Sequence, residues 1–151
     1  MRNINTDRRL SGGAQLFSQE KTAVGPTGRV LNGAMTVSTV ATKTAVTLTA
    51  AQVLGGMILQ DPSGGAVTTT LPTAALLKAA LPGVAAGTAF EFTIRNTADG
   101  NEAITVAAGT GGSTSGTMTI AQNNSKRFLL IFTATGGTPA YTVYSLGTVV
   151  H

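Results

Sequence analysis

Phe90-Glu-Phe-Thr-Ile-Arg95 alternates apolar and polar side chains at every step. A period of two puts Phe90, Phe92 and Ile94 on one face of a strand and Glu91, Thr93 and Arg95 on the other. Asn96-Thr-Ala-Asp-Gly-Asn101 follows with turn-forming residues, and Glu102-Ala-Ile-Thr-Val106 repeats the alternation. The spacing predicts a β-hairpin over 90–106. Further on, Phe128-Leu-Leu-Ile-Phe132 is apolar without interruption and predicts a central strand covered on both faces. Lys126 and Arg127 beside it discourage aggregation during folding.

The same two signals recur toward both ends. Met35-Thr-Val-Ser38 and Val46-Thr-Leu-Thr49 alternate, and Thr49 to Leu54 fits one helical turn before Gly55-Gly56. Met57-Ile-Leu-Gln60 and Ala66 to Leu71 flank Asp61-Pro-Ser-Gly-Gly65, which predicts a second hairpin. Thr73 to Leu81 predicts a helix: Thr73 caps it, Leu76, Leu77, Ala80 and Leu81 form its apolar stripe, and Pro82-Gly83 ends it. Strands are also expected at Thr117 to Ile120, Lys126 to Thr133 and Tyr141 to Leu146. Short strands between glycine-rich turns predict an all-β fold, a β-sandwich or jelly-roll-like barrel with one short helix. No fixed repeat period is visible, which argues against a β-helix or propeller. Residues 1–34 show no sustained period and are broken by Ser11-Gly-Gly13 and Gly25-Pro-Thr-Gly28. They read as an extended basic N-terminal arm ahead of a β-rich domain over 35–151.

Composition narrows the function. The 151 residues contain no Cys, no Trp, six carboxylates and one histidine, His151, against 26 threonines and 19 glycines. A single domain of this size buries roughly 70% of the surface its unfolded chain exposes, so it is stable without disulfides. The missing Cys agrees with a reducing compartment. The leading residues are polar with no apolar core, unlike a secretory signal, and no run is long enough to span a membrane.

This is a poor inventory for chemistry, and it points to a structural or binding protein rather than an enzyme. No cofactor or metal motif stands out. A Ser-His-Asp site would have to use His151, a terminal residue. A two-carboxylate glycosidase would need Glu91 and Glu102, but the simplest hairpin register sets Arg95 near Glu102, a surface charge pair worth ~0–1 kcal/mol. Gly109-Thr-Gly-Gly112 and Gly116 lack the Lys-Ser/Thr of a phosphate cradle and read as turns. Asp99-Gly-Asn-Glu102 lacks the register of a calcium loop. The Thr-x-Thr pairs, Thr47/Thr49, Thr68/Thr70 and Thr117/Thr119, bring a flat ice-binding face to mind, but without regular spacing they fit better the exposed side of ordinary strands.

The net charge is +4 and unevenly placed: residues 1–30 hold five cations against two carboxylates, and the remainder five against four. A basic leading segment on a nearly neutral body suits docking on an acidic surface, because Arg forms bidentate pairs with carboxylates. Nucleic acid fits less well, since the charges are few and spread out.

Several phrases together resemble a known class: Leu54-Gly-Gly-Met-Ile58, Asp61-Pro-Ser-Gly64, Phe90 to Asn96, Ile104-Thr-Val-Ala-Ala-Gly-Thr-Gly111, Gly116-Thr-Met-Thr-Ile120 and Asn123-Asn-Ser-Lys-Arg-Phe128. They resemble small β-rich virion proteins of tailed bacteriophages, of the capsid decoration or cement type, over roughly residues 45–151. The resemblance implies a homotrimer on the capsid surface, bound to the major capsid protein, made in the host cytoplasm and released by lysis. It carries over no catalytic residue. On that expectation Arg2, Arg8, Arg9 and Arg29 are the contacts to the shell. The rival is a tail fibre or spike component that binds a host glycan or surface protein. Its sugar-stacking aromatics would be Tyr141 and Tyr144, of which alternation turns one inward.

Overall fold

The structure is a computed structural model that describes residues 35–151. In chain order its elements are β1 (Thr36–Ala41), β2 (Val46–Thr47), α1 (Ala50–Leu54), β3 (Gly56–Asp61), β4 (Val67–Thr70), α2 (Ala74–Ala80), β5 (Ala89–Asn96), β6 (Ile104–Ala107), β7 (Gly112–Ser115), β8 (Thr119–Ile120), β9 (Asn124–Ala134) and β10 (Ala140–Val150). They build a six-stranded sheet in the order β1-β3-β5-β9-β10-β7 and a four-stranded sheet in the order β2-β4-β6-β8. One core joins the sheets, with Phe92, Ile94, Phe128 and Leu130 from the larger and Val67, Ile104, Val106 and Ile120 from the smaller.

The first six strands form a coil. β1, β3 and β5 lie side by side and parallel in the larger sheet, while β2, β4 and β6 do the same in the smaller. The chain therefore changes sheet after every strand, and α1 and α2 lie on its two returns from the smaller sheet to the larger. Both expected hairpins are overturned: β3 and β4 belong to different sheets, and so do β5 and β6. The spacing has no fixed period, as the sequence reading found, yet the strands still alternate between the two sheets.

The two stretches that read as hairpin turns are corners, and they and the corner after β1 are held by the same device. A side-chain oxygen accepts the backbone N–H two residues on: Thr42 Oγ1 from Thr44 at 3.1 Å, Asp61 Oδ1 from Ser63 at 2.8 Å, and Asn96 Oδ1 from Ala98 at 3.0 Å. The returns are matched as well. Thr49 caps α1 with a capping box to Gln52, and Thr73 caps α2 by accepting from the Leu76 N–H at 3.2 Å. Each cap opens a Thr-Ala-Ala phrase, and Val53 and Leu77, four residues past their caps, are both fully buried.

The chain then changes style. β9 and β10 are eleven residues each and pair antiparallel, with register irregularities between Ala140 and Tyr141 and between Ser145 and Gly147. β9 also pairs antiparallel with β5, which welds this hairpin to the last turn of the coil. The rings of Phe92 and Phe128 stack across that seam with centroids 5.3 Å apart. Tyr141 makes a second weld: its buried Oη donates to the Pro72 carbonyl at 2.9 Å and accepts from the Gly109 N–H at 3.0 Å. Gly112, the Cα partner of Tyr141, must be glycine, because a Cβ there would enter the Tyr141 ring. Its strand, β7, was expected to be a turn.

The outcome departs from the expected class in three ways. There are two short helices among the described residues rather than one, five of the eight strand pairings are parallel, and neither sheet closes into a barrel or follows the antiparallel order of a jelly roll. The domain is dominated by β-strands in two sheets that share one core.

Candidate interaction surfaces

The catalytic candidates come first, because the geometry treats them differently. His151 is better held than its terminal position suggested. Its backbone N–H donates to the Asn123 carbonyl at 3.0 Å, and its Nε2 lies 2.9 Å from Ser125 Oγ. Ser125 sits on β9 at 9% exposure, and no carboxylate bonds to the pair among the described residues. A serine activated by histidine needs that third group to hold the imidazole in the productive tautomer. Without it the contact ties the end of β10 to β9. No local sequence signal marks Ser125, since the pairing of Val149 with Ser125 depends on the irregularity in β10.

Glu91 and Glu102 are not brought together across a hairpin. Glu91 lies on β5 in the larger sheet, whereas Glu102 leads into β6 in the smaller. The expected Arg95–Glu102 ion pair is likewise replaced: Glu91 Oε2 pairs with Arg127 Nε at 3.1 Å. Arg95 Nε and Glu102 Oε2 are each shielded from solvent with no hydrogen-bond partner among the described residues. Among the described residues no three His, Asp or Glu gather as metal ligands, and no helix is long and apolar enough to cross a membrane.

The polar groups buried between the two sheets serve the fold. Asn96 Nδ2 donates to the carbonyls of Glu102 at 2.7 Å and Ile120 at 3.1 Å, fastening the third corner to both neighbours. Gln60, its register partner one turn earlier, accepts from Thr69 Oγ1 at 2.8 Å across the sheets. Its Nε2 stays unpartnered. Lys126 donates to the Thr117 carbonyl at 2.8 Å, and burial lowers its pKa from the ordinary lysine value.

The two outer faces are the remaining surface, and they differ in chemistry. On the smaller sheet, Thr68, Thr105 and Thr119 are Cα partners in one row, with Thr47, Thr70 and Ala107 in the next. These threonines occupy the exposed side of ordinary strands, as the sequence reading favours, and Thr49 and Thr117 are not on these strands. On the larger sheet the outward positions of β9 are Arg127, Leu129, Ile131 and Thr133. Leu129 and Ile131 are only half-buried, so β9 is central but not covered on both faces as expected. Tyr144 pairs with Leu129 on this face at 39% exposure, while Tyr141 is buried; alternation divides the two tyrosines as the sequence implied.

Arg2, Arg8, Arg9 and Arg29 lie outside the described residues. The comparisons end the same way for all three kinds of relative: no protein-family model, no curated protein and no solved structure matches this chain.

Proposed function

We propose that the protein is a structural virion component of a tailed bacteriophage that decorates and stabilises the capsid. In this reading the basic segment over 1–34 and the base of the β-rich domain bind the major capsid protein, and copies associate on the capsid surface, as a homotrimer in the form the resemblance implies. The fold acts as a two-sheet sandwich, a stiff spacer that needs no chemistry. One observation carries the proposal beyond the sequence. The outer face of the larger sheet holds Leu129, Ile131 and Tyr144 only partly covered, which is the chemistry of a packing surface. The Arg side chains of the leading segment add charge for an acidic partner.

Cryo-electron microscopy of the particle tests this directly. Density over the icosahedral shell between capsomers is expected, with attachment that weakens as salt rises. Deletion of residues 1–30 should abolish attachment. Retention of the truncated protein on the shell would remove the arm from the contact, and density confined to the tail would replace the whole reading. Tyr144 favours that second reading, a tail fibre or spike component, because an exposed ring on a sheet face can stack on a sugar.

A further inference from the structure

We propose that the outer face of the six-stranded sheet pairs with the same face of a second copy about a twofold axis. The proposal rests on the self-association in the functional reading above, and takes one surface and a twofold axis in place of the homotrimer that the resemblance implies.

The first observation is the contrast between the two outer faces. A sheet with one face in water ordinarily turns polar residues outward, and the smaller sheet does so with Thr68, Thr105 and Thr119. The larger sheet also turns Thr93, Thr133 and Thr142 outward, but sets Leu59, Leu129, Ile131 and Tyr144 among them on three of its strands. No turn or folding constraint requires this, since β9 already buries Phe128, Leu130 and Phe132 on its inner side.

The second observation is the charge at the centre of that face. Glu91 and Arg127 are diagonal neighbours on β5 and β9, joined at 3.1 Å with both side chains about half exposed. Opposite charges side by side make the patch self-complementary. A twofold axis lying between two such faces, across the line from Glu91 to Arg127, sets Glu91 of each copy over Arg127 of the other. A threefold contact joins two different patches and leaves this complementarity unused.

Size is adequate. Six strands at ~4.8 Å spacing, about six residues long, make a face of roughly 500 Å² in plan, and side-chain relief raises its accessible area toward the ~800 Å² per partner of a standard interface.

Sedimentation equilibrium of the full chain over a concentration series reads the outcome. A reversible monomer–dimer equilibrium is expected. Glu91→Arg and Arg127→Glu each set like charges across the axis and should weaken the dimer about tenfold or more. Mixing the two variants in equal amounts should restore a heterodimer, because each supplies the charge the other lacks; a defect within one chain is not repaired by mixing. Circular dichroism and thermal unfolding establish that each variant is folded. Tyr144→Lys, at an exposed apolar position of the same face, should weaken the dimer independently. A wild-type chain that stays monomeric, a trimer, variants that dimerise like wild type, or a mixture that stays monomeric would each overturn the pairing. A monomer seated on the capsid would sink this inference alone, whereas a dimer absent from the shell would sink the functional reading alone.

Discussion

The coil of β1 to β6 and the β9–β10 hairpin build neighbouring parts of one sheet by opposite means. In the coil, paired residues are far apart in sequence: Thr36 meets Gly56, and Ile58 meets Ile94. Its strands are two to eight residues long, and each corner and return is held by a local side-chain bond. In the hairpin, two long strands adjacent in sequence pair along their length, and β9 alternates buried and open positions from Phe128 to Phe132. The coil is therefore secured by many small local devices and the hairpin by a few large buried side chains. The two types of support should fail by different amounts.

The largest loss is expected where the two regions meet. Phe128→Ala removes a fully buried ring stacked on Phe92 and leaves a cavity between β5 and β9. It should cost about 3–5 kcal/mol in urea unfolding. Coil and hairpin should still unfold in one transition, because they share a core. Two separated transitions would show that the coil stands alone and would break the comparison. Next comes Tyr141→Phe, which keeps the ring and strands the buried Pro72 carbonyl and the Gly109 N–H. A loss of about 1–3 kcal/mol is expected. A smaller value would mean that the ring alone makes the weld.

The caps sharpen the other side of the contrast. Thr49→Ala and Thr73→Ala should each cost about 1 kcal/mol. Thr49 anchors a reciprocal capping box with Gln52, whereas Thr73 makes a single bond, so Thr49→Ala should be the more costly of the two. Equal effects in thermal unfolding would show that the box adds nothing beyond its first bond.

Strands, caps and turn chemistry were legible because they are local. Period two exposed β5, an unbroken apolar run exposed β9, and Thr73 with Pro82-Gly83 bounded α2 within a residue. Topology was not legible, for a physical reason. Asp61 and Asn96 stabilise a tight change of direction through the N–H two residues on, and that bond is the same whether the chain folds back as a hairpin or turns a corner into another sheet. The coil did leave a trace in the paired Thr-Ala-Ala phrases at 49–51 and 73–75. Unequal spacing hid it, since α2 and its following loop lengthen the second turn. The outer face was misread because Phe128 to Phe132 looks the same whether its second side meets this chain or another one. Of the site, the Glu91–Arg127 pair required the β5–β9 register, which no single segment encodes.

The smallest effect is expected at Lys126, the only buried cation among the described core residues, at 5% exposure on the hairpin strand. Burial lowers its pKa from 10.5, so below the folded-state value both states carry the charge and folding bears its full desolvation cost. Between that value and 10.5 the unfolded chain holds the extra proton, and stability rises with pH. Tyr141 acts in the other direction: burial raises its pKa above 10.0, so above pH 10 the unfolded chain ionises first and stability falls. The two slopes oppose each other near pH 10 and are separable only by mutation. In a Tyr141→Phe background, urea unfolding should show stability rising as pH approaches 10.5, and adding Lys126→Met should flatten the rise. At about pH 7, Lys126→Met alone should lie within about 1 kcal/mol of wild type, because the Thr117 carbonyl it releases belongs to an exposed residue and regains water. A loss of several kcal/mol would mean that this buried cation is a structural tie in its own right, and that the hairpin depends on a polar anchor as the coil does.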